Sequence, residues 1–181
     1  GLYGPQGTGL LLCGGEAQPL LFGGTGSASR IQTMPPDLPD RLEAGTHNMP
    51  GIAGLLEGLR FVQRVGTERI LRHELALTGQ AAQGLSALPG VEVFADGEDR
   101  AQTGVLSFRV RGMDSEQIGE ELAQRQIAVR AGLHCAPLAH RTAGTFETGT
   151  VRLSPSVFNS PRHIDIFLRE LSGIIRENSR Q

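Results

Sequence analysis

The sequence predicts an α/β protein whose C-terminal part is an α+β domain of its own, and three observations predict it. From residue 67 onward the apolar patterns run helix, strand, strand, helix, strand, strand, helix. Two helical patterns abut at residues 65–67, which suits a bridge between domains and sets the expected division at 1–66 and 67–181. Ahead of them lies a glycine-rich stretch whose longest apolar run, Leu10-Leu11-Leu12-Cys13, reads as a strand buried on both faces of a covered sheet.

Taken in order, residues 1–48 read as strands and loops of an α/β layer whose remainder is expected upstream, because the chain opens without a methionine inside a glycine-rich loop. Asn48 and Pro50 give the start signals of a helix over 50–65, with Ile52, Leu55, Leu56, Leu59 and Val62 at helical spacing. Thr67 caps a second helix to about residue 88, with Ile70, Leu71, Leu75, Ala82 and Leu85 on one side. Strands follow at Val91-Glu92-Val93-Phe94 and over 104–110. Asp114, with Gln117 three residues on, forms a capping-box pattern ahead of a helix that turns Ile118 and Leu122 inward. Strands over 127–130 and 150–154 flank a long loop, 131–149. Ser160-Pro161 then opens a last helix with an apolar face of Ile164, Phe167, Leu168, Leu171, Ile174 and Ile175.

Composition narrows the function classes. A formal net charge of −2 gives no electrostatic case for nucleic acid or an anionic membrane surface. No apolar run approaches the roughly 20 residues of a membrane helix, and no signal-peptide pattern is present. Two distant cysteines make no disulfide framework, so a reducing, cytoplasmic compartment is expected. The 25 glycines cluster in runs such as 4–9 and 23–26, which mark unusual backbone or close approach. All 17 basic residues are arginine, and without lysine the chain has no side chain for a Schiff base.

The most chemically loaded stretch is Arg130-Ala131-Gly132-Leu133-His134-Cys135-Ala136-Pro137. A loop cysteine beside a cation such as Arg130 is a candidate thiolate nucleophile, since a neighbouring positive charge lowers a thiol pKa. A free buried cysteine is the plainer reading, and His134, Cys135 and His140 make at most three metal ligands with no partner pair elsewhere. Arg152, between valine and leucine on a short strand, is placed to hold a carboxylate with its fork; a strand-end ion pair is the other reading. Thr46, just before a helix, could hold an anion or belong to a capping turn. Gly4-Pro5-Gln6-Gly7-Thr8-Gly9 lacks the Gly-Lys-Ser/Thr ending and leads into no helix, so it is not a nucleotide loop. Cys13 reads as an inert core thiol, and His73 and His163 as surface or interface residues.

Five motifs in order resemble the class V aminotransferase-like group of pyridoxal-phosphate enzymes, closest to its cysteine desulfurase branch. They are Leu2-Tyr3-Gly4-Pro5-Gln6-Gly7-Thr8-Gly9, Gly23-Gly24-Thr25-Gly26-Ser27, Arg41-Leu42-Glu43-Ala44-Gly45-Thr46-His47-Asn48, Arg130 to Pro137 as quoted above, and Val151-Arg152-Leu153-Ser154-Pro155-Ser156-Val157-Phe158-Asn159. The resemblance implies the small C-terminal domain of a pyridoxal-phosphate fold type I enzyme with the last strands of its large domain. It also implies a C-terminal fragment with Gly1 just after the cofactor lysine, inactive alone. Cys135 would take sulfur from L-cysteine as a persulfide and leave alanine, Arg152 would clamp the substrate carboxylate, and Arg130 would lie near substrate and reactive loop. Thr46 would reach the cofactor phosphate of the neighbouring subunit in a homodimer, no resident metal is implied, and a sulfur-acceptor protein is a further possible partner. A selenocysteine lyase or related lyase on the same scaffold, and a non-catalytic binding module, are the alternatives.

Overall fold

The computed structural model describes residues 2–95 and 102–178; Gly1, which the resemblance sets directly after the cofactor lysine, lies outside them. The chain divides into two compact units, Gly1–Gly66 and Thr67–Gln181.

The first unit is built on helix α1, Met49–Val65. Asn48 caps it, its side-chain oxygen accepting from the Gly51 N–H at 3.0 Å. Glycines inside a helix cost about 1 kcal/mol each, and those in α1 sit where the chain approaches closely. A Cβ on Gly54 would lie 2.6 Å from the Pro5 ring, and one on Gly58 would lie 2.3 Å from the Leu2 carbonyl oxygen. The segment after Leu2 therefore lies against the helix, and Tyr3 meets Phe61 edge to face at 5.3 Å.

The strand expected at 10–13 does not form. Residues 2–48 contain two short 3-10 turns and no strand, Leu12 is 89% exposed, and Cys13 is an exposed thiol bonded to the Gly15 carbonyl rather than a core residue. A strand needs a neighbour to pair with, and the described residues of this unit supply none. On α1, Leu55 is buried while Ile52 and Leu56 are exposed, so only part of the anticipated apolar face is covered.

The second unit combines helices with one sheet. Its elements are α2 (Thr67–Ser86), β1 (Val91–Phe94), β2 (Leu106–Val110), α3 (Ser115–Gln124), β3 (Arg130–Gly132), α4 (Pro137–Thr142), β4 (Thr150–Leu153) and α5 (Pro161–Asn178). The four strands form an antiparallel sheet in the order β1-β2-β4-β3. Period-two alternation puts Leu106, Phe108 and Val110 of β2, with Val151 and Leu153 of β4, on one face. There they meet Ile118 and Leu122 of α3 and the α5 stripe Ile164, Phe167, Leu171, Ile174 and Ile175. Phe108 and Phe167 meet edge to face at 5.8 Å in this core.

Four details differ from the sequence reading. On α2 the core takes Leu77, Ala81 and Leu85 and leaves Leu71 exposed, because the helix carries two apolar stripes and only one meets the sheet. The Asp114 cap is one-sided: its carboxylate accepts from the Glu116 and Gln117 N–H groups, but the Gln117 side chain donates to Glu121 instead of turning back. The strand expected at 127–130 sits later, at Arg130–Gly132, where it can pair with β4. Finally, the expected loop 131–149 contains α4, which starts at Pro137, a residue preset for a first helical turn.

Candidate active site

The sheet face opposite the core carries the site. Strand register aligns Phe94 with Ser107, Ser107 with Arg152, and Arg152 with Arg130, a row that crosses all four strands. Two arginines directly opposite one another repel, and no carboxylate among the described residues forms an ion pair with either. Arg152 is held between buried Val151 and Leu153 and is half-buried, and its Nε is a buried donor without a hydrogen-bond partner. The strand-end ion pair is therefore not made among the described residues.

Cys135 follows β3 directly. Gly132 ends that strand with φ +99, and the Ala136 N–H donates back to the Leu133 carbonyl at 2.9 Å. His134 (φ +51) and Cys135 (φ +59) are the two central residues of this turn, both left-handed as in a turn of the I′ kind. The result is an exposed thiol at the tip of a tight turn, not a core cysteine. The Arg130 Nη2 donates to its sulfur at 3.6 Å.

Beneath the turn lies a polar cluster that the sequence did not disclose. The His134 Nε2 and the Thr150 hydroxyl are 3.1 Å apart, and the His140 Nδ1 and the Thr145 hydroxyl 2.8 Å. The two rings lie 5.6 Å apart. Burial first, then the Arg152, His140 and Arg130 charges, lower the His134 pKa below the ordinary histidine value, with a hydrogen bond to the Thr150 backbone acting the other way. Its Nδ1 is buried without a partner. Both imidazoles are thus engaged by threonines, and no group of three or more His, Cys, Asp or Glu among the described residues is arranged to hold a metal ion. A cavity of about 160 Å³ adjoins the cluster, between Phe94, Ser107 and Thr150 of the sheet and Ala139, His140 and Ala143 above it.

Asn159, near the end of the β4 segment, folds its own loop, its Oδ1 accepting from the Ser156 N–H at 2.8 Å. His73 joins α2 to that loop through the Asn159 carbonyl at 2.9 Å, and the His163 Nδ1 accepts from the Ser160 N–H at 3.2 Å.

Thr46 belongs to the first unit. It is exposed, and it follows Gly45, whose φ is +89 and whose N–H donates to the Gly24 carbonyl. Asn48, not Thr46, caps α1, so the capping turn leaves the Thr46 hydroxyl uncommitted.

Comparison with known proteins covers almost the whole chain. The Aminotransferase class-V family model matches residues 2–167. A probable cysteine desulfurase of Mycolicibacterium paratuberculosis is 38% identical over 96% of this chain and 26% of that protein. One from Methanothermobacter thermautotrophicus is 34% identical over 96% of this chain and 46% of that protein. The apo cysteine desulfurase of Thermococcus onnurineus superposes with a TM-score of 0.76 at 32% identity, covering 88% of this chain and 40% of that one. The Escherichia coli cysteine desulfurase CsdA, in its S-sulfonic acid form, does so at 0.74 and 25% identity, covering 88% of this chain and 39% of that one. The chain spans about a quarter to a half of the length of these relatives. The match in sequence across both units and the match in fold agree: the chain belongs to the class-V aminotransferase family.

Proposed function

We propose that this chain is the sulfur-handling C-terminal part of a pyridoxal-phosphate-dependent cysteine desulfurase, with Cys135 as the sulfur-accepting nucleophile. The observation that carries this reading is the exposed Cys135 thiol at the tip of its left-handed turn, 3.6 Å from a guanidinium N–H of Arg130. Its relatives named as probable cysteine desulfurases support it. Nucleophilic chemistry needs an accessible thiol, and the exposed turn presents one with a guanidinium donor beside it.

In this reading the Arg152 fork binds the carboxylate of L-cysteine by charge-assisted hydrogen bonds and fixes the substrate's orientation. The Cys135 thiolate attacks the substrate sulfur. A sulfur–sulfur bond forms, the carbon–sulfur bond breaks, and the departing carbon is protonated to alanine. Cys135 is left as a persulfide, whose sulfur an acceptor protein would collect from the exposed turn. Pyridoxal phosphate, when bound, supplies the electron sink that lets the carbon–sulfur bond break. This chain fits one end of that cofactor: the uncommitted Thr46 hydroxyl beside left-handed Gly45 offers a donor to the phosphate, from the neighbouring subunit. No lysine is present to hold its aldehyde, so these 181 residues alone turn over no cysteine. We place the complete enzyme in the cytoplasm as a homodimer; among the described residues no helix is long and apolar enough to cross a membrane.

The test is alanine formation from L-cysteine by the complete enzyme and by its Cys135→Ser variant. The variant should bind the cofactor with its ordinary colour and form no alanine. A variant that makes alanine at the normal rate would remove Cys135 from the chemistry.

A further inference from the structure

We propose that His134 is a positioning residue for Cys135: its bond to the Thr150 hydroxyl holds the turn in the conformation that keeps the thiol beside Arg130. The proposal rests on the reading of Cys135 as the nucleophile and adds how the fold presents it.

Two consecutive left-handed residues, neither of them glycine, are an unfavourable backbone choice, so something outside the turn must hold them. The single Ala136-to-Leu133 bond closes the turn but does not fix it to the sheet. His134 does. Thr150 sits opposite Gly132 in the β3–β4 register, so its hydroxyl is fixed by the ladder just where the chain leaves β3. The His134 ring reaches back to that hydroxyl at 3.1 Å and ties the turn to β4. His140 of α4, itself bonded to Thr145, packs 5.6 Å away and limits the ring's movement.

A second observation separates this role from packing alone. The charged and titratable groups acting on the imidazole are Arg130 of β3, Arg152 of β4 and His140 of α4. Such surroundings favour an uncharged ring, which can bond Thr150 through Nε2 but leaves Nδ1 buried and unpaired. An aliphatic side chain would fill the same space without burying an unpaired nitrogen. The imidazole is explained by the bond it makes.

The experiment measures Cys135 alkylation by iodoacetamide at neutral pH in the 181-residue chain, on a Cys13→Ser background so that one thiol reports. Thr150→Val removes the hydroxyl and keeps the shape; it should slow alkylation about fivefold, the scale of one ordinary hydrogen bond. Thr150→Ser should restore the rate to within about twofold. His134→Phe should match Thr150→Val, and the double variant should be no slower than either. A wild-type rate in Thr150→Val, or slowing that multiplies in the double variant, overturns the proposal. Should Thr150→Val lose its cooperative melt, His134→Phe decides alone, and a wild-type rate there overturns it. The assay uses neither cofactor nor L-cysteine, so its failure leaves the desulfurase reading standing, whereas alanine formation by Cys135→Ser would defeat that reading only.

Discussion

Arg130 and Arg152 lie directly opposite one another across β3 and β4, and neither forms an ion pair with a carboxylate among the described residues. Two facing arginines beside an exposed thiol are the arrangement that the proposed binding of a carboxylate substrate requires. Arg130 faces the thiol itself. Arg152, half-buried with an unpartnered Nε, has the more restricted side chain of the two.

Arg152→Ala in the complete enzyme should lower kcat/KM for L-cysteine roughly 10- to 100-fold, the worth of hydrogen bonds to a charged group. Arg152→Lys should recover little of it, because an ammonium cannot reproduce the planar fork. Steady-state kinetics check this, with the melting temperature as control; a fully active lysine variant would mean that charge alone suffices there.

Stability should fall as the pH drops below the ordinary histidine range. Burial and the neighbouring arginines lower the His134 pKa in the folded chain. Below about pH 6.5 the unfolded chain takes up a proton that the folded chain still refuses. Unfolding is then favoured, with further loss down to the lowered folded value and none added beneath it. Urea melts of the wild type and His134→Phe at pH 7.5 and 5.5 should show the larger acid-side loss in the wild type.

Phe167→Ala should cost about 3–5 kcal/mol, since it opens a cavity against fully buried Phe108. Chemical denaturation measures this directly. Cys135 lies across the sheet from this core, so the destabilised chain, while folded, should keep its Cys135 alkylation rate.

The core of the second unit was legible because β2 and α5 each show one dominant period, two in the strand and 3.6 in the helix. On α2 two stripes compete, and only the sheet decides between Leu77 and Leu71. Leu10 to Leu12 carry a strand's composition without a partner strand in their unit, so composition alone misleads there. Within the site, Cys135, Arg130 and Arg152 stand out by residue type and spacing. The threonines do not: Thr150 and Thr145 acquire their roles from the register of β4 and the fold of α4, which bring hydroxyls to two imidazoles. The left-handed turn was also hidden, because it holds no glycine or asparagine and Cys135 is not a residue type that advertises positive φ.

Gly149→Ala should destabilise the second unit and disturb the β3–β4 pairing. Gly149 has φ +61, and a Cβ there would lie 2.8 Å from the Ser115 Oγ and 3.0 Å from the Gly132 Cα. The left-handed penalty alone is about 1–2 kcal/mol. Hydrogen exchange should show faster opening at Ala131 and Thr150, the strand residues beside the contact.

The most direct test of the central claim is peptide mass analysis of the complete enzyme after a single turnover of L-cysteine, quenched with an alkylating agent. The account predicts one extra sulfur atom on the peptide that contains Cys135, in step with the alanine formed, and none on the peptide that contains Cys13. Alanine released in full with no sulfur on Cys135, or with the sulfur on Cys13, would contradict it.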